Sequence, residues 1–166
     1  MSNQGQALRV PAVRFERMLP GPVERVWAHL SDCRLLPGWF GADGVIEPRR
    51  GGMVRFAEGH IRGVVTQWQP HRCLAYSWNV YGTRDADSPY PESYLSFTLT
   101  PEGEAVRLVL LHLPILERFE SQNAMGWHSF FDMLDAALRG EPVEERKLYM
   151  ERNAALYGVD LNNLQQ

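Results

Sequence analysis

The spacing of apolar side chains over residues 10–113 is typical of β-strands. Within each run, apolar and polar residues alternate, which sends successive side chains to opposite faces of a sheet. Turn sequences such as Gly51-Gly52 and the cluster at 101–104 separate the runs. The pattern predicts seven strands, at 10–19, 45–49, 53–57, 60–69, 73–80, 93–100 and 105–113.

A repeat of three to four residues then replaces the alternation and predicts a helix of about five turns over residues 121–140. Its apolar arc comprises Trp127, Phe131, Leu134 and Leu138. Ser121 is the expected N-cap and Gly140 the expected C′ residue. Because almost everything before this helix is predicted strand, we expect its apolar face to lie across the sheet.

Two shorter helices complete the prediction. The first opens at Gly21-Pro22 and ends at Ser31-Asp32, and a short helical turn follows over 34–36. The second spans 142–157, has a weaker apolar stripe and ends at Gly158. The segment 81–92 is the one long loop. These elements predict an α+β fold with one domain at 10–140 and a C-terminal helical extension and tail at 141–166.

The composition of the chain argues against several classes of binding partner. A formal net charge of −3 and a pI near 5.9 give no support for binding nucleic acid. The first ten residues lack the basic and apolar regions of a signal peptide, and no apolar run approaches membrane-spanning length. Cys33 and Cys73 match no metal or redox spacing, and the five histidines show none either. We therefore expect a cytoplasmic protein without metal or cofactor. The sequence does not decide whether Cys33 and Cys73 form a disulfide.

Several short motifs, in this order and spacing, resemble a known family. They are PGPVERVWAHLSD at 20–32, LPGWFG at 36–41, GGMVRF at 51–56, PHRCLAYSW at 70–78, VRLVLLH at 106–112 and MGWHSFFDMLDAALRG at 125–140. Together they resemble the homologues of the heat-shock protein 90 ATPase activator, within the START and birch-pollen-allergen (SRPBCC) superfamily. The resemblance covers roughly residues 10–140. The loop at 81–92 and the segment after Gly140 depart from the family pattern.

The resemblance implies a helix-grip fold, in which a curved antiparallel sheet wraps around a long C-terminal helix and two short helices follow the first strand. It also implies a START-like cavity between sheet and helix that takes apolar or amphipathic small molecules. Some relatives do chemistry in that cavity, such as cyclising polyketides. The eukaryotic namesake instead stimulates a chaperone's ATPase.

The residues expected to bind a ligand are mostly aromatic and lie on the inward faces of the predicted elements. They are Trp39, Phe56, Tyr76, Trp78, Phe97, His112, Trp127 and Phe131. His112 ends the inward face of the last strand, so it either orients a ligand's polar group, acts as an acid–base, or is a hydrogen-bonded core residue. Tyr76 and Trp78 fit cavity walls and core packing equally well. Trp39 and Phe40 either plug one end of the core or contact the ligand.

Other polar groups give weaker signals. His128 and Asp132 have the i, i+4 spacing of a surface pair. Asp135 fits a solvated flank of the long helix or the rim of a cavity. The charge run at 144–147 fits a solvated helix face. No phosphate-binding loop, nucleophile elbow or paired-carboxylate motif is present in the sequence.

Three functions remain open. The first is binding of a small apolar or amphipathic molecule between sheet and helix. The second is a protein-interaction module that acts on a chaperone or another protein, and the third is a cyclase-like or hydrolase-like enzyme that uses His112. A large enclosed pocket favours the first, and a filled core with an exposed apolar patch favours the second. The sequence does not decide whether the protein forms a homodimer. Neither nucleic acid nor membrane is expected as a partner.

Overall fold

The computed structural model describes residues 3–82 and 86–166 of the chain. Its elements, in chain order, are β1 (Val13–Pro20), α1 (Val23–Ser31), β2 (Gly44–Ile46), β3 (Met53–Phe56), β4 (Ile61–Gln69), β5 (Cys73–Val80), β6 (Ser93–Glu102), β7 (Ala105–Leu113), α2 (Glu120–Arg139) and α3 (Arg146–Tyr157). Short 3-10 turns occur at Leu36–Gly38, Ala57–Gly59 and Glu117–Phe119. The predicted loop at 81–92 lies partly outside the described residues, and its described part holds neither helix nor strand.

The seven predicted strands form one antiparallel sheet in the order β1-β7-β6-β5-β4-β3-β2. Strands β2 to β7 follow one another as a meander, and β1 then pairs with β7, from Val13 opposite His112 to Pro20 opposite Ala105. A register shift between Val65 and Gln67 interrupts the β4–β5 ladder. Such irregularities increase local twist and help a sheet to curve. The long helix α2 lies in the curve, which is the helix-grip fold implied by the resemblance.

The apolar face predicted for α2 is confirmed. Its four predicted core residues are all buried: Trp127, Phe131, Leu134 and Leu138. Gly140 ends the helix in the left-handed conformation, with a φ of 70°, as a C′ glycine does. The predicted N-cap at Ser121 is wrong, because the turn Glu117–Phe119 runs directly into α2, which begins at Glu120.

The aromatic pair Trp39 and Phe40 closes one end of the core. The Trp39 ring is buried and its Nε1–H donates to the carbonyl oxygen of His29 at 2.8 Å. The Phe40 ring stacks on Phe130 of α2, with centroids 4.5 Å apart and planes 17° apart. The packing role predicted for this pair is therefore confirmed, and direct contact with a ligand stays a prediction.

A polar cluster fastens α3 and β1 to α2. Asp132 accepts from Arg17 of β1 at 2.5 Å and from the Asn153 side chain of α3 at 2.9 Å. His128 lies 3.6 Å from Asp132, and its Nδ1 lies 2.9 Å from the hydroxyl of Tyr157. The predicted surface pair is therefore part of a half-buried cluster that joins three elements. The sequence did not indicate this because Arg17 is 115 positions away from Asp132.

The extension beyond α2 packs closely onto that helix. Within α3, three side chains are buried: Tyr149, Asn153 and Ala154. The helix predicted over 142–157 is confirmed, although it begins later, at Arg146. The domain boundary placed after residue 140 stays a prediction.

We expect Trp127→Ala to lower the free energy of unfolding by about 3–5 kcal/mol, the usual cost of truncating a large core aromatic. The Trp127 ring is buried against Trp78, Phe130 and Phe131. The matched control is Tyr94→Ala, at a site where the aromatic ring is exposed, with an expected loss of about 0.5 kcal/mol or less. Denaturant unfolding curves measure both. Equal losses in the two variants would contradict the central place of Trp127.

Candidate functional site

Two adjoining cavities lie beside the first half of α2. The His112 cavity has a volume of about 220 Å³, and its walls include Trp78, Tyr90, Ser93, His112, Ile115 and Phe119. The Arg146 cavity has a volume of about 290 Å³, and its walls include Met125, Trp127, Phe130, Arg146, Met150 and Leu164. Trp78, Gln122 and Asn123 line both cavities, so the two lie side by side.

Aromatic side chains fill the space between the middle of α2 and the sheet. The Tyr76 ring centroid lies 5.9 Å from that of Phe56 and 6.2 Å from that of Phe97. A void of about 10 Å³ remains among these rings. That is about the size needed to hold one water molecule. The space between the sheet and the middle of α2 is therefore filled. Room for a larger molecule lies near the N-terminal end of α2.

The residues predicted to bind a ligand divide into two groups. The structure places three of them at the cavities: Trp78, His112 and Trp127. It packs the other five into the core: Trp39, Phe56, Tyr76, Phe97 and Phe131. A direct role of any of them in ligand binding stays a prediction.

His112 is the centre of a buried hydrogen-bonded chain. The Trp127 Nε1–H donates to His112 Nδ1 at 3.2 Å. His112 Nε2 lies 2.9 Å from Ser93 Oγ, and the Ser93 hydroxyl donates to the carbonyl oxygen of Trp78. The chain thus runs from α2 through β7 to β6 and β5, and it forms one wall of the His112 cavity.

The directions of these hydrogen bonds assign the tautomer of His112. An indole nitrogen can only donate, so His112 Nδ1 accepts from Trp127 and the ring proton is on Nε2. Burial lowers the pKa of His112 from its ordinary value to about 4, because the charged ring is poorly solvated there. The His112 ring is therefore neutral near pH 7.

This arrangement works against His112 as a general base for Ser93. A base that activates a serine needs an unprotonated nitrogen facing the hydroxyl. Here the nitrogen that faces Ser93 carries the proton, and Trp127 occupies the other nitrogen with a donor. The pair is better suited to holding a polar group at the edge of an apolar cavity, because Ser93 Oγ keeps acceptor capacity.

The C-terminal tail helps to enclose both cavities. The Gln165 backbone N–H donates to the Gln122 side-chain oxygen at 3.0 Å, and the Gln122 amide donates to the Gln165 carbonyl oxygen at 3.4 Å. Through this pairing Gln165 lines the His112 cavity and Leu164 lines the Arg146 cavity. The sequence indicated only a polar tail, and no spacing within it pointed to this contact.

The four residues of the charge run at 144–147 are all exposed, as the sequence predicted, but Arg146 also contacts α2. The Arg146 guanidinium carbon lies 4.2 Å from the Phe130 ring centroid, and the side chain lines a cavity. The sequence could not show this, because Phe130 and Arg146 belong to different helices. Asp135, the candidate rim residue, lines neither cavity and pairs with Arg139 of the next helical turn at 3.1 Å.

Neither a cluster of metal-binding side chains nor a membrane-spanning helix is found in residues 3–82 and 86–166. No group of three or more His, Cys, Asp or Glu side chains in this part of the chain is arranged to hold a metal ion. Within the same residues, no helix has both the length and the apolar character needed to cross a membrane.

Comparison with protein families gives one match that covers most of the chain. The model of the family described as "Activator of Hsp90 ATPase homolog 1-like protein" matches residues 20–139. This range extends from the end of β1 to the end of α2 and leaves out α3. No curated protein matches the chain significantly.

Solved structures share the fold. The protein encoded by gene BPP1335 from Bordetella parapertussis is 26% identical, with a TM-score of 0.69 over 99% of this chain and 93% of that one. CalU16 from Micromonospora echinospora is 24% identical, with a TM-score of 0.72 over 89% of this chain and 86% of that one. PFC0360w from Plasmodium falciparum, described as an HSP90 activator, is 16% identical, with a TM-score of 0.64 over 80% of this chain and 98% of that one.

We expect acid to destabilise the fold through His112. The folded-state pKa of about 4 lies below the ordinary value of 6.5, so the unfolded chain takes up the proton first as the pH falls. Stability is therefore fully present above about pH 6.5 and is lost as the pH falls towards 4, by up to about 3 kcal/mol. Unfolding curves at several pH values between these limits measure the loss.

The control is His112→Gln, which keeps one acceptor and one donor but does not titrate. Its stability should fall less steeply than that of the wild type over the same pH range. Carboxylates contribute equally to both proteins, so the difference between the curves isolates His112. Parallel curves would show that His112 is not held neutral by the fold.

Proposed function

The chain belongs to the family of Activator of Hsp90 ATPase homolog 1-like proteins, and on that premise we propose that it binds a small amphipathic molecule beside the first half of α2. The observation that carries this proposal is the His112 cavity, an opening of about 220 Å³ between the sheet and the long helix. Apolar atoms form most of its walls, and the Ser93 hydroxyl and the Asn123 amide supply polar atoms. Apolar walls with a few placed polar groups are typical of ligand sites.

The size of the cavities limits the ligand. A non-hydrogen atom needs about the same space as a water molecule, roughly 30 Å³. Each cavity therefore holds about seven to ten such atoms, and a molecule that spans both would be larger. The filled core among Phe56, Tyr76 and Phe97 does not support a ligand buried deep in the grip. We propose that the ligand lies beside the first half of α2, in contact with the wall that Ser93 and His112 form.

The enzyme hypothesis has less support than ligand binding. It needs His112 as an acid–base near neutral pH, whereas burial lowers the pKa of His112 to about 4. It also needs a free ring nitrogen, and both nitrogens are within hydrogen-bonding distance of protein groups. These observations favour a binding role for the Ser93–His112 wall.

A protein partner is the second candidate. The family name and the likeness to an HSP90 activator from Plasmodium falciparum favour it. Three apolar side chains, Val45, Met53 and Val64, are exposed on strands β2 to β4 at one end of the sheet and form a candidate contact surface. Adding the protein to a heat-shock protein 90 ATPase assay tests this candidate, with Met53→Asp as the surface variant. An unchanged ATPase rate would overturn it. The cytoplasmic location and the homodimer stay predictions.

Ligand binding is tested by calorimetric titration with three eight-carbon probes, 1-octanol, octanoate and octylammonium. We expect saturable one-to-one binding of at least one probe. His112→Leu should weaken that binding by about 1–3 kcal/mol, because the wall loses the donor that orients Ser93. The control is His60→Leu, the same substitution at an exposed histidine, which should leave the affinity unchanged.

His112→Leu also leaves the Trp127 N–H without an acceptor, so its folding must be verified by thermal unfolding. Ser93→Ala provides a second variant that keeps the Trp127–His112 bond intact. It should weaken binding in the same direction. If no probe saturates the wild-type protein, the proposed binding function is wrong.

A further inference from the structure

We propose that the ligand is an organic anion and that Arg146 binds its charged group in the Arg146 cavity. This inference rests on the proposed binding function and adds the chemical class of the ligand. It also gives α3 a function, since α3 lies outside the residues that the family model matches.

The position of the Arg146 guanidinium is fixed by an aromatic face. Its carbon lies 4.2 Å from the Phe130 centroid, within the range of a cation–π contact. The Phe130 ring is itself buried, and it stacks on the ring of Phe40. The charge is therefore held over an aromatic face at the wall of the cavity.

The charge of Arg146 has no counterion in the part of the chain that the structure describes. Within residues 3–82 and 86–166, no carboxylate lies within ion-pair distance of Arg146 and no hydrogen bond to its guanidinium is formed. Two nearby acids pair with other cations, Glu144 with Arg152 at 2.5 Å and Glu151 with Lys147 at 3.8 Å.

Partial desolvation of the Arg146 guanidinium favours the binding of an anion beside it. Arg146 is an exposed residue, yet protein atoms packed around its guanidinium lower its pKa, and no neighbouring charge contributes to that shift. A guanidinium nevertheless remains protonated in proteins, so the cation is present and poorly compensated. A bound carboxylate would offset that cost and would accept parallel hydrogen bonds from the planar donor group.

Space in front of the guanidinium is kept open by Gly126 in the middle of α2. A glycine inside a helix costs about 1 kcal/mol relative to alanine. A Cβ at this position would meet only Arg146 Nη2, at 3.5 Å, within a radius of 4 Å. Packing against the rest of the protein therefore does not require glycine here. The missing side chain leaves room for a ligand next to the charge.

The remaining walls define the rest of the ligand. Met125, Met150, Leu164 and the Trp127 ring surround the cavity with apolar atoms, and its volume is about 290 Å³. This accommodates roughly ten non-hydrogen atoms. A medium-length alkyl or aryl carboxylate satisfies both the charge and the apolar surface. Octanoate has this size and is a suitable probe.

The test compares octanoate with 1-octanol, which has a similar apolar chain without the charge, by calorimetric titration at pH 7. We expect the wild type to bind octanoate at least tenfold more tightly than octanol. Arg146→Gln should weaken octanoate binding by about 10- to 100-fold, the usual effect of losing a charge-assisted hydrogen bond. It should leave octanol binding nearly unchanged, and Arg146→Lys should retain part of the octanoate affinity.

Two further variants exclude indirect effects. Lys147→Gln removes a positive charge one residue away, on an exposed side chain, and should not change octanoate binding. Gly126→Ala should raise the melting temperature while it weakens octanoate binding, because its methyl group occupies space beside the guanidinium. This pair of opposite changes does not depend on whether Arg146→Gln folds well.

The outcomes separate this inference from the function on which it rests. Equal affinity for octanoate and octanol, or an octanoate affinity that Arg146→Gln leaves intact, overturns the anion inference and leaves amphipathic binding in place. In that case Arg146 serves only to pack on Phe130. Failure of octanoate to saturate the wild-type protein overturns the inference, and failure of octanoate, 1-octanol and octylammonium together overturns the proposed function as well.

Discussion

The contact between Trp127 and the inner face of the sheet couples the core of this protein to its candidate site. The Trp127 ring is packed against Trp78 of β5 and Phe97 of β6, so it holds α2 in the curve of the sheet. Its Nε1–H donates to His112, so the same side chain fixes the tautomer of the one buried histidine at the cavity wall. Apolar packing and polar geometry therefore depend on a single residue, and a shift of α2 would disturb both.

Dense packing around Trp127 also determines where a ligand can bind. Aromatic rings leave only about 10 Å³ in the middle of the grip. The open volume lies farther along, where the first turns of α2, the end of β7, α3 and the C-terminal tail meet. Segments outside the matched family range, notably Arg146, Met150 and Leu164, line part of this space. Ligand specificity in this chain is thus expected to come partly from its extension.

The sequence predicted the elements better than it predicted their contacts. Alternating residues identified all seven strands, and the apolar arc of 121–140 identified α2, because both patterns are local consequences of burial on one face. The same alternation of apolar and polar residues predicted that the His112 side chain faces inward. The N-cap at Ser121 was wrong because a preceding turn, Glu117–Phe119, supplies the start of the helix. The local pattern of apolar residues does not show that a preceding turn runs directly into a helix.

The candidate site depends on contacts between distant segments, which spacing does not encode. Aromatic residues suited to a cavity wall, such as Tyr76 and Phe97, are equally suited to a filled core, and only packing distinguishes the two. Arg146 belongs to a charge run that is usually solvated, and its position over Phe130 requires α3 to fold back on α2. The pairing of Gln165 with Gln122 likewise joins residues 43 positions apart.

The location of the bound molecule is tested most directly by the indole N–H signals in a two-dimensional NMR spectrum recorded during titration with octanoate. The five tryptophans report from different parts of the molecule, and single Trp→Phe variants assign them. Binding beside the first half of α2 should shift the signals of Trp78 and Trp127 and leave those of Trp27 and Trp68, which pack against each other at 5.1 Å, unchanged. Saturable shifts confined to Trp27, Trp39 or Trp68 would place the ligand elsewhere and contradict this site.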